Sequence, residues 1–139
     1  MALELEPLGT LTITIAMQTY LSETPLGGRL VGEAGTCRWE GPRVQASQLG
    51  QSASDWVRIN HDRSVQVDAR ILLRTDDGAA VAMTYQGKAD RPPAEGGVIY
   101  TAPTFETDDH RYAWLNSIQA VAKGKRTGSL LVYELYALR

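Results

Sequence analysis

The sequence predicts an all-β fold, a single antiparallel β-barrel domain over residues 1–139 with little helix. Apolar and polar residues alternate with a period of two in several segments, as in half-buried strands, and helical periodicity is nearly absent. About ten short strand-like runs are separated by Gly, Pro, Asn or Asp, a pattern typical of barrels and sandwiches. The length of 139 residues fits one domain.

The first strand is the clearest. Leu11, Ile13, Ile15 and Met17 alternate with three threonines and an alanine, and a Pro/Gly turn follows at 24–28. A short helical turn is predicted over 109–116, after an Asp-Asp pair, and the longest loop covers 87–97. The other predicted strands are Arg29–Glu33, Thr36–Glu40, Val44–Ser47, Trp56–Asn60, Ser64–Thr75, Ala79–Gln86, Ile99–Thr107, Ser117–Ala122 and Ser129–Leu138.

The turn at Asp76-Asp77-Gly78 allows the register of one hairpin to be decided. A two-residue loop would mix polar and apolar side chains on both faces. A three-residue loop, with Gly78 in the left-handed conformation, pairs Thr75 with Ala79 and separates them. Because a one-residue slip turns every side chain to the other face, we predict the three-residue loop. One face then carries Ile71, Leu73, Val81, Met83 and Tyr85; the other carries Asp68, Arg70, Arg74, Ala80, Ala82 and Thr84.

The charge balance argues against a nucleic-acid partner. The formal charge is −2, whereas phosphate binding needs a basic surface. Lys123, Lys125 and Arg126 form the nearest thing to a basic cluster, which we interpret as a solvated turn. The segment Met1–Pro7 lacks the apolar core of a signal peptide, and no run reaches the roughly 18 apolar residues of a membrane span. We therefore expect a cytoplasmic location and no membrane partner.

Cofactor and metal motifs are absent from the sequence. The single cysteine, Cys37, allows no internal disulfide, and in a strand it is expected to be a small buried side chain. His61 and His110 lie far apart in turn-like segments and make a poor metal site. Neither a dinucleotide-binding glycine motif, a phosphate-binding loop nor a zinc motif is present. We expect no cofactor and no metal.

Six short segments of the chain resemble the DUF3237 (UPF0311) family, which has a placeholder name, and they occur in the same order as in that family. The resemblance spans nearly the whole chain, and the order and spacing of short motifs carry it. These motifs are Thr24-Pro25-Leu26-Gly27-Gly28-Arg29, Glu40-Gly41-Pro42-Arg43, Ala53-Ser54-Asp55-Trp56, Asp68-Ala69-Arg70, Leu73–Ala79 and Thr107–Asn116.

The resemblance implies a closed or nearly closed antiparallel barrel and little specific chemistry. Such a barrel is broadly similar to allene oxide cyclase and the dirigent proteins, which guide ring closure or coupling of small molecules without a cofactor. This is an analogy between folds, and a fold does not fix a function.

Three charged residues are candidates for acid–base chemistry. Asp55 stands beside Trp56, where an apolar ring would raise the pKa of a carboxyl group toward that of a useful general acid. A turn-capping role after Ser52-Ala53-Ser54 explains the same residue more simply. Asp68 and Arg70 share a strand face opposite small residues, which suggests a cavity wall or an ordinary solvated face. We expect Arg70 to project into a cavity and to meet Asp68 or Asp55, since a buried arginine needs a partner.

Aromatic side chains and one amide are the candidates for ligand binding. Tyr112, Trp114 and Asn116 would share a face if their segment were extended, although as core aromatics they need no function. Trp56 and Tyr85 complete this set.

Two classes of function remain open. The first is a barrel that binds a small molecule, with cofactor-free cyclase, lyase or isomerase chemistry. The second is a non-catalytic interaction or structural module with a packed interior. A partly polar cavity around the candidate residues would favour the first, and a dry core the second. The sequence leaves homo-oligomer formation open.

Overall fold

The computed structural model describes residues 1–139 and contains one antiparallel sheet of ten strands. Strands make up 63% of the chain and helices 8%, so the all-β prediction is confirmed. Neither helical segment could cross a lipid bilayer. The strands are β1 Leu5–Thr24, β2 Gly27–Glu40, β3 Gln45–Gln48, β4 Ser54–Ile59, β5 Val65–Thr75, β6 Ala80–Ala89, β7 Ile99–Thr101, β8 Thr104–Glu106, β9 Ala120–Thr127 and β10 Leu130–Leu138, with 3₁₀ helices at Pro93–Glu95 and His110–Ser117.

The strand pairings close the sheet on itself. Following the hydrogen bonds from β5 through β4, β2, β1, β10, β9, β7 and β6 leads back to β5. The strand β3 pairs with β2 and β5, and β8 pairs with β6. An eight-stranded ring has an interior just wide enough to be filled by side chains or to hold one small ligand.

The β5–β6 hairpin has the predicted register. The Thr75 N–H donates to the Ala79 carbonyl at 2.8 Å, and Arg74 lies opposite Ala80. Gly78 has a φ of 100°, in the left-handed region that favours glycine. The three-residue loop is therefore confirmed. Its apolar face lies in the core, where Ile71, Leu73, Val81, Met83 and Tyr85 are all buried.

Part of the barrel interior is solidly packed. Trp39 is fully buried and its ring stacks on that of Phe105, with 5.2 Å between ring centroids. The indole N–H of Trp39 donates to the Leu8 carbonyl at 2.8 Å, which satisfies its one polar group. This cluster belongs to a core of 29 buried residues.

Several sequence-based boundaries are wrong. The strand predicted over 99–107 is two strands, β7 and β8, separated by Ala102 and Pro103, and the strand predicted from Ser117 begins at Ala120. The loop predicted over 87–97 begins only after β6 ends at Ala89.

The two strands predicted over 29–40 form the single strand β2, because Gly35 between them is skipped in the pairing with β1 and the strand continues past it. Both β1 and β2 are long, not short, and their hairpin extends beyond β10, leaving Met17 more than half exposed. The basic cluster lies within β9, where Lys123 pairs with Glu134 of β10, and not in a turn.

Candidate functional site

A cavity of about 80 Å³ lies inside the barrel. Thirteen of its twenty lining residues are hydrophobic. Asp55 of β4 lines it, because Asp55 shares the inner face with the buried Ala53 and Val57, whereas the next residue, Trp56, is exposed. The apolar lining includes Ile13, Leu30, Val57, Ile71, Ile99 and Leu131.

Burial determines the protonation of Asp55. Loss of hydration raises the pKa of this carboxyl group from 3.8 to about 6, and the nearby Asp68 carboxylate adds to the rise. The backbone N–H of Asp68 donates to Asp55 Oδ1 at 3.2 Å and opposes the shift. Because desolvation prevails, Asp55 titrates close to physiological pH, which is the range in which a general acid works best.

A row of three residues crosses the cavity wall. Asp55 lies opposite Ala69 of β5, and Ala69 lies opposite Tyr85 of β6. Neighbouring strands are about 4.8 Å apart, so the backbones of Asp55 and Tyr85 are separated by about 10 Å. The methyl group of Ala69 lies between them. The small side chain of Ala69 leaves space between the two polar groups, and all three residues line the cavity.

A second tyrosine accompanies Tyr85. Tyr85 and Tyr133 are 3% and 1% exposed, and their ring centroids are 5.4 Å apart. Burial raises the pKa of both phenols, and the Asp55 carboxylate adds to the rise at each. The Tyr133 hydroxyl group has no partner at ordinary hydrogen-bond distance, although a longer contact with the Tyr85 hydroxyl group contributes to the pKa of both phenols. Tyr133 was not predicted from the sequence to be a site residue. It shares a strand face with Leu131 and Leu135, which indicated an inward side chain, but only barrel closure brings it to Tyr85.

Charged side chains border the cavity as well. Glu33 and Arg126 are among its lining residues. Arg126 donates to the Gln18 side chain at 3.3 Å and to the Gly128 carbonyl at 2.8 Å. The sequence predicted only that Arg126 belongs to a basic cluster, and it did not predict a place for Arg126 beside a cavity. No group of three or more His, Cys, Asp or Glu side chains comes together in a metal-binding arrangement.

Arg70 and Asp68 do not line the cavity. Both lie on the exposed face of β5, and Arg70 stands opposite Ser54 and Thr84. The prediction that Arg70 projects into a barrel cavity is wrong. Alternation separated the two faces of β5 correctly, but the apolar face is the inner one. Asp68 contacts Asp55 through its backbone N–H, not through its carboxyl group.

Trp56 also lies outside the barrel. It is 53% exposed, with the Arg29 guanidinium 5.9 Å from its ring centroid. The neighbour expected to desolvate Asp55 therefore points the opposite way, as consecutive residues of a strand must. The apolar surroundings of Asp55 come instead from the barrel interior.

The other three ligand-binding candidates lie in the 3₁₀ helix His110–Ser117, so they are not extended as supposed. The Tyr112 hydroxyl group donates to the Asp77 carboxylate at 2.8 Å. The Arg43 guanidinium lies 3.6 Å from the Trp114 ring centroid. Asn116 bonds through its side chain to the backbone N–H and C=O of Thr107. These contacts fix the helix to the barrel, and none of the three residues lines the cavity.

Comparison with solved structures shows the same fold elsewhere. A β-barrel-like protein from Acinetobacter baumannii AYE superposes with a TM-score of 0.90 at 24% identity, covering 100% of this chain and 98% of that one. An enzyme from Penicillium herquei superposes with a TM-score of 0.77 at 21% identity, covering 98% of this chain and 96% of that one. At these identities the likeness shows the fold alone.

Sequence comparison gives one curated relative and one family. The hydroalkoxylation enzyme phnH of Penicillium herquei is 28% identical over 80 residues, and this match spans 58% of the present chain and 46% of that protein. The chain thus spans about half the length of this relative. The model of a protein family of unknown function, DUF3237, matches residues 3–138. The chain belongs to the DUF3237 family.

Proposed function

We propose that this protein binds a small molecule inside its barrel and catalyses a cofactor-free isomerisation, with Asp55 as the proton donor. The observation that carries the proposal is the position of Asp55, whose carboxyl group lines an apolar cavity and has a pKa of about 6. A neutral carboxyl group in an apolar wall can donate a proton and then accept one back at nearly neutral pH.

Ring closure by addition of a hydroxyl group to a carbon–carbon double bond suits this site. The Asp55 carboxyl group gives its proton to one alkene carbon, and the substrate's hydroxyl oxygen forms a bond to the other. The hydroxyl proton then returns to the Asp55 carboxylate. Substrate and product are isomers, so no oxidant, reductant or cofactor is consumed. A cavity lining that excludes water would protect the cationic carbon from capture by water.

Two observations support this reaction class over other acid–base reactions. The relative phnH is named for hydroalkoxylation, the addition of an alcohol O–H bond across an alkene. The cavity is mainly apolar, and of the two carboxyl groups that line it, Asp55 lies on the inner face of its strand whereas Glu33 is exposed, so Asp55 is placed for a single proton transfer to a hydrocarbon. A cavity beside a titratable group also favours ligand binding over a fully packed structural module.

The direct test combines a titration with a model reaction. Carbon-13 NMR of the aspartate carboxyl groups should give Asp55 a pKa of about 6. The wild-type protein should accelerate conversion of 5-methylhex-4-en-1-ol into 2,2-dimethyltetrahydropyran, and Asp55→Asn should lose at least about 100-fold of that acceleration.

Asp68→Asn is the matched control, because it removes a neighbouring carboxyl group that faces solvent; it should lower the pKa of Asp55 only slightly, since desolvation is the main cause of the shift. We expect it to retain activity. A pKa for Asp55 near its ordinary value of about 3.9, or equal turnover by wild type and Asp55→Asn, would contradict the proposed role of this residue.

A further inference from the structure

We infer that Tyr85 donates a hydrogen bond to an oxygen atom of the ligand, and that the ligand is therefore a mainly apolar molecule bearing a phenol, enol or conjugated carbonyl oxygen. This inference rests on the proposed binding of a small molecule in the cavity. It adds the chemical class of that molecule and gives Tyr133 a positioning role behind Tyr85.

The placement of Tyr85 is the first ground. It lines the cavity on the far side of Ala69 from Asp55. A ligand seated over Ala69 would meet a carboxyl group at one end and a phenol at the other. Between these two groups the wall is apolar, so a ligand seated there would have Asp55 and Tyr85 as its polar partners on the inner wall, while Glu33 and Arg126 border the same cavity.

The second ground is the unsatisfied hydroxyl group of Tyr133. Tyr133 is 1% exposed, and its hydroxyl oxygen has no hydrogen-bond partner. Burying such a group without a partner costs about 1–3 kcal/mol, so it calls for an explanation. The two ring centroids are 5.4 Å apart, and the two hydroxyl groups already act on each other's pKa. A small rotation therefore lets Tyr133 donate to the Tyr85 oxygen when Tyr85 donates to a ligand.

The protonation state of the two phenols suits donation. Burial raises the pKa of Tyr85 and of Tyr133, with Asp55 adding to both shifts. Both groups are therefore neutral donors over the physiological range. Two neutral phenols favour a ligand oxygen that accepts a hydrogen bond and that gains electron density when the ligand loses a proton. A phenol, enol or conjugated carbonyl oxygen has this property, and an ammonium group or a plain hydrocarbon does not.

Phenol and toluene are the probes for a test. They have nearly the same shape and differ in one hydroxyl group. Affinities would be measured by NMR titration of the Ile13, Ile71 and Leu131 methyl signals at the cavity. For Tyr85→Phe we expect phenol to bind about three- to tenfold more weakly, the value of one neutral hydrogen bond, and toluene to change less than about twofold.

Two further variants complete the test. Tyr133→Phe should weaken phenol binding by a smaller factor and leave toluene unchanged, which a purely structural role would not do. Tyr100→Phe changes a tyrosine that is 57% exposed and should alter neither affinity.

The outcomes separate this inference from the proposed function. Equal losses for phenol and toluene in Tyr85→Phe would mean that Tyr85 only packs, and unchanged phenol binding would exclude it as a donor. Either result overturns the inference while leaving the Asp55 proposal intact. If the wild-type protein binds neither probe, the cavity accepts no such ligand and both proposals fail.

Discussion

The ring of Tyr133 lies directly over the backbone of Gly124. A Cβ atom at residue 124 would be 2.3 Å from Tyr133 Cε1, a distance that real Cβ atoms do not reach. The two residues are register partners on β9 and β10. Only glycine therefore leaves room for the ring in its present position beside Tyr85.

Gly124→Ala should accordingly displace the Tyr133 ring and lower the free energy of unfolding by about 1–3 kcal/mol, the usual effect of overpacking a core. Chemical denaturation would measure the loss. Gly32→Ala is the control, since a Cβ atom at residue 32 meets nothing within 4 Å. Equal stability of the two variants would show that the ring moves freely.

Asp55→Asn should stabilise the protein above pH 6 and have little effect below pH 4. The folded-state pKa of Asp55 is raised from 3.8 to about 6, so the folded state binds a proton that the unfolded state releases. The stabilisation that this proton gives the folded state is fully present below the unfolded-state pKa and is lost as pH rises through the folded-state pKa. The shift corresponds to roughly 3 kcal/mol at pH 8.

The measurement is the difference in unfolding free energy between wild type and Asp55→Asn, determined from pH 4 to pH 8. Taking the difference removes the contributions of groups whose pH dependence has the opposite sign. Asp109 is such a group, because the Arg111 guanidinium lowers its pKa and its contribution to stability is lost as pH falls. Charged groups around the same cavity are Glu33 and Arg126. A difference that does not vary with pH would contradict the raised pKa.

Tyr133→Phe should leave the fold intact and raise the free energy of unfolding by about 1 kcal/mol. The substitution removes a buried hydroxyl group that has no partner, and deleting such a group relieves a desolvation penalty. Tyr112→Phe is the comparison, because its hydroxyl group donates to Asp77 at 2.8 Å and its loss should destabilise. Thermal unfolding of both variants would test the opposite signs. Destabilisation by Tyr133→Phe would indicate a hydrogen bond at that hydroxyl group.

Gly78→Val should destabilise the protein by about 1–2 kcal/mol through backbone strain alone. A Cβ atom at residue 78 meets nothing within 4 Å, but the φ of 100° lies where side chains with a Cβ are strained. Ala80→Val places the same side chain on an exposed strand position of the same hairpin and should be neutral. Equilibrium unfolding in urea would compare them, and similar midpoints would argue against strain.

Arg70→Ala should change the unfolding free energy by less than about 0.5 kcal/mol, since an exposed side chain without an ion pair contributes little. It should also leave phenol and toluene binding unchanged, because Arg70 faces away from the cavity. NMR titration with both probes would check this. A loss of binding would place Arg70 in the site after all.

The sequence by itself determined the all-β class, the β5–β6 register and the two faces of that hairpin. Each of these depends on neighbouring residues: alternation defines the faces, and Gly78 selects the turn. Asp55 could also be selected from sequence, but for the wrong reason, since Trp56 points away from it. The apolar environment that raises its pKa consists of residues on other strands.

Only the tertiary structure decided which residues meet. Alternation assigns a side chain to a face but does not say which strands will be neighbours, and β1 pairs with β10 across almost the whole chain. That closure turns the apolar faces inward, leaves Arg70 and Asp68 in solvent, and brings Tyr133 to Tyr85. The site is therefore a product of long-range strand pairing, which no local pattern records, because period-two alternation is the same whatever strand lies beside it.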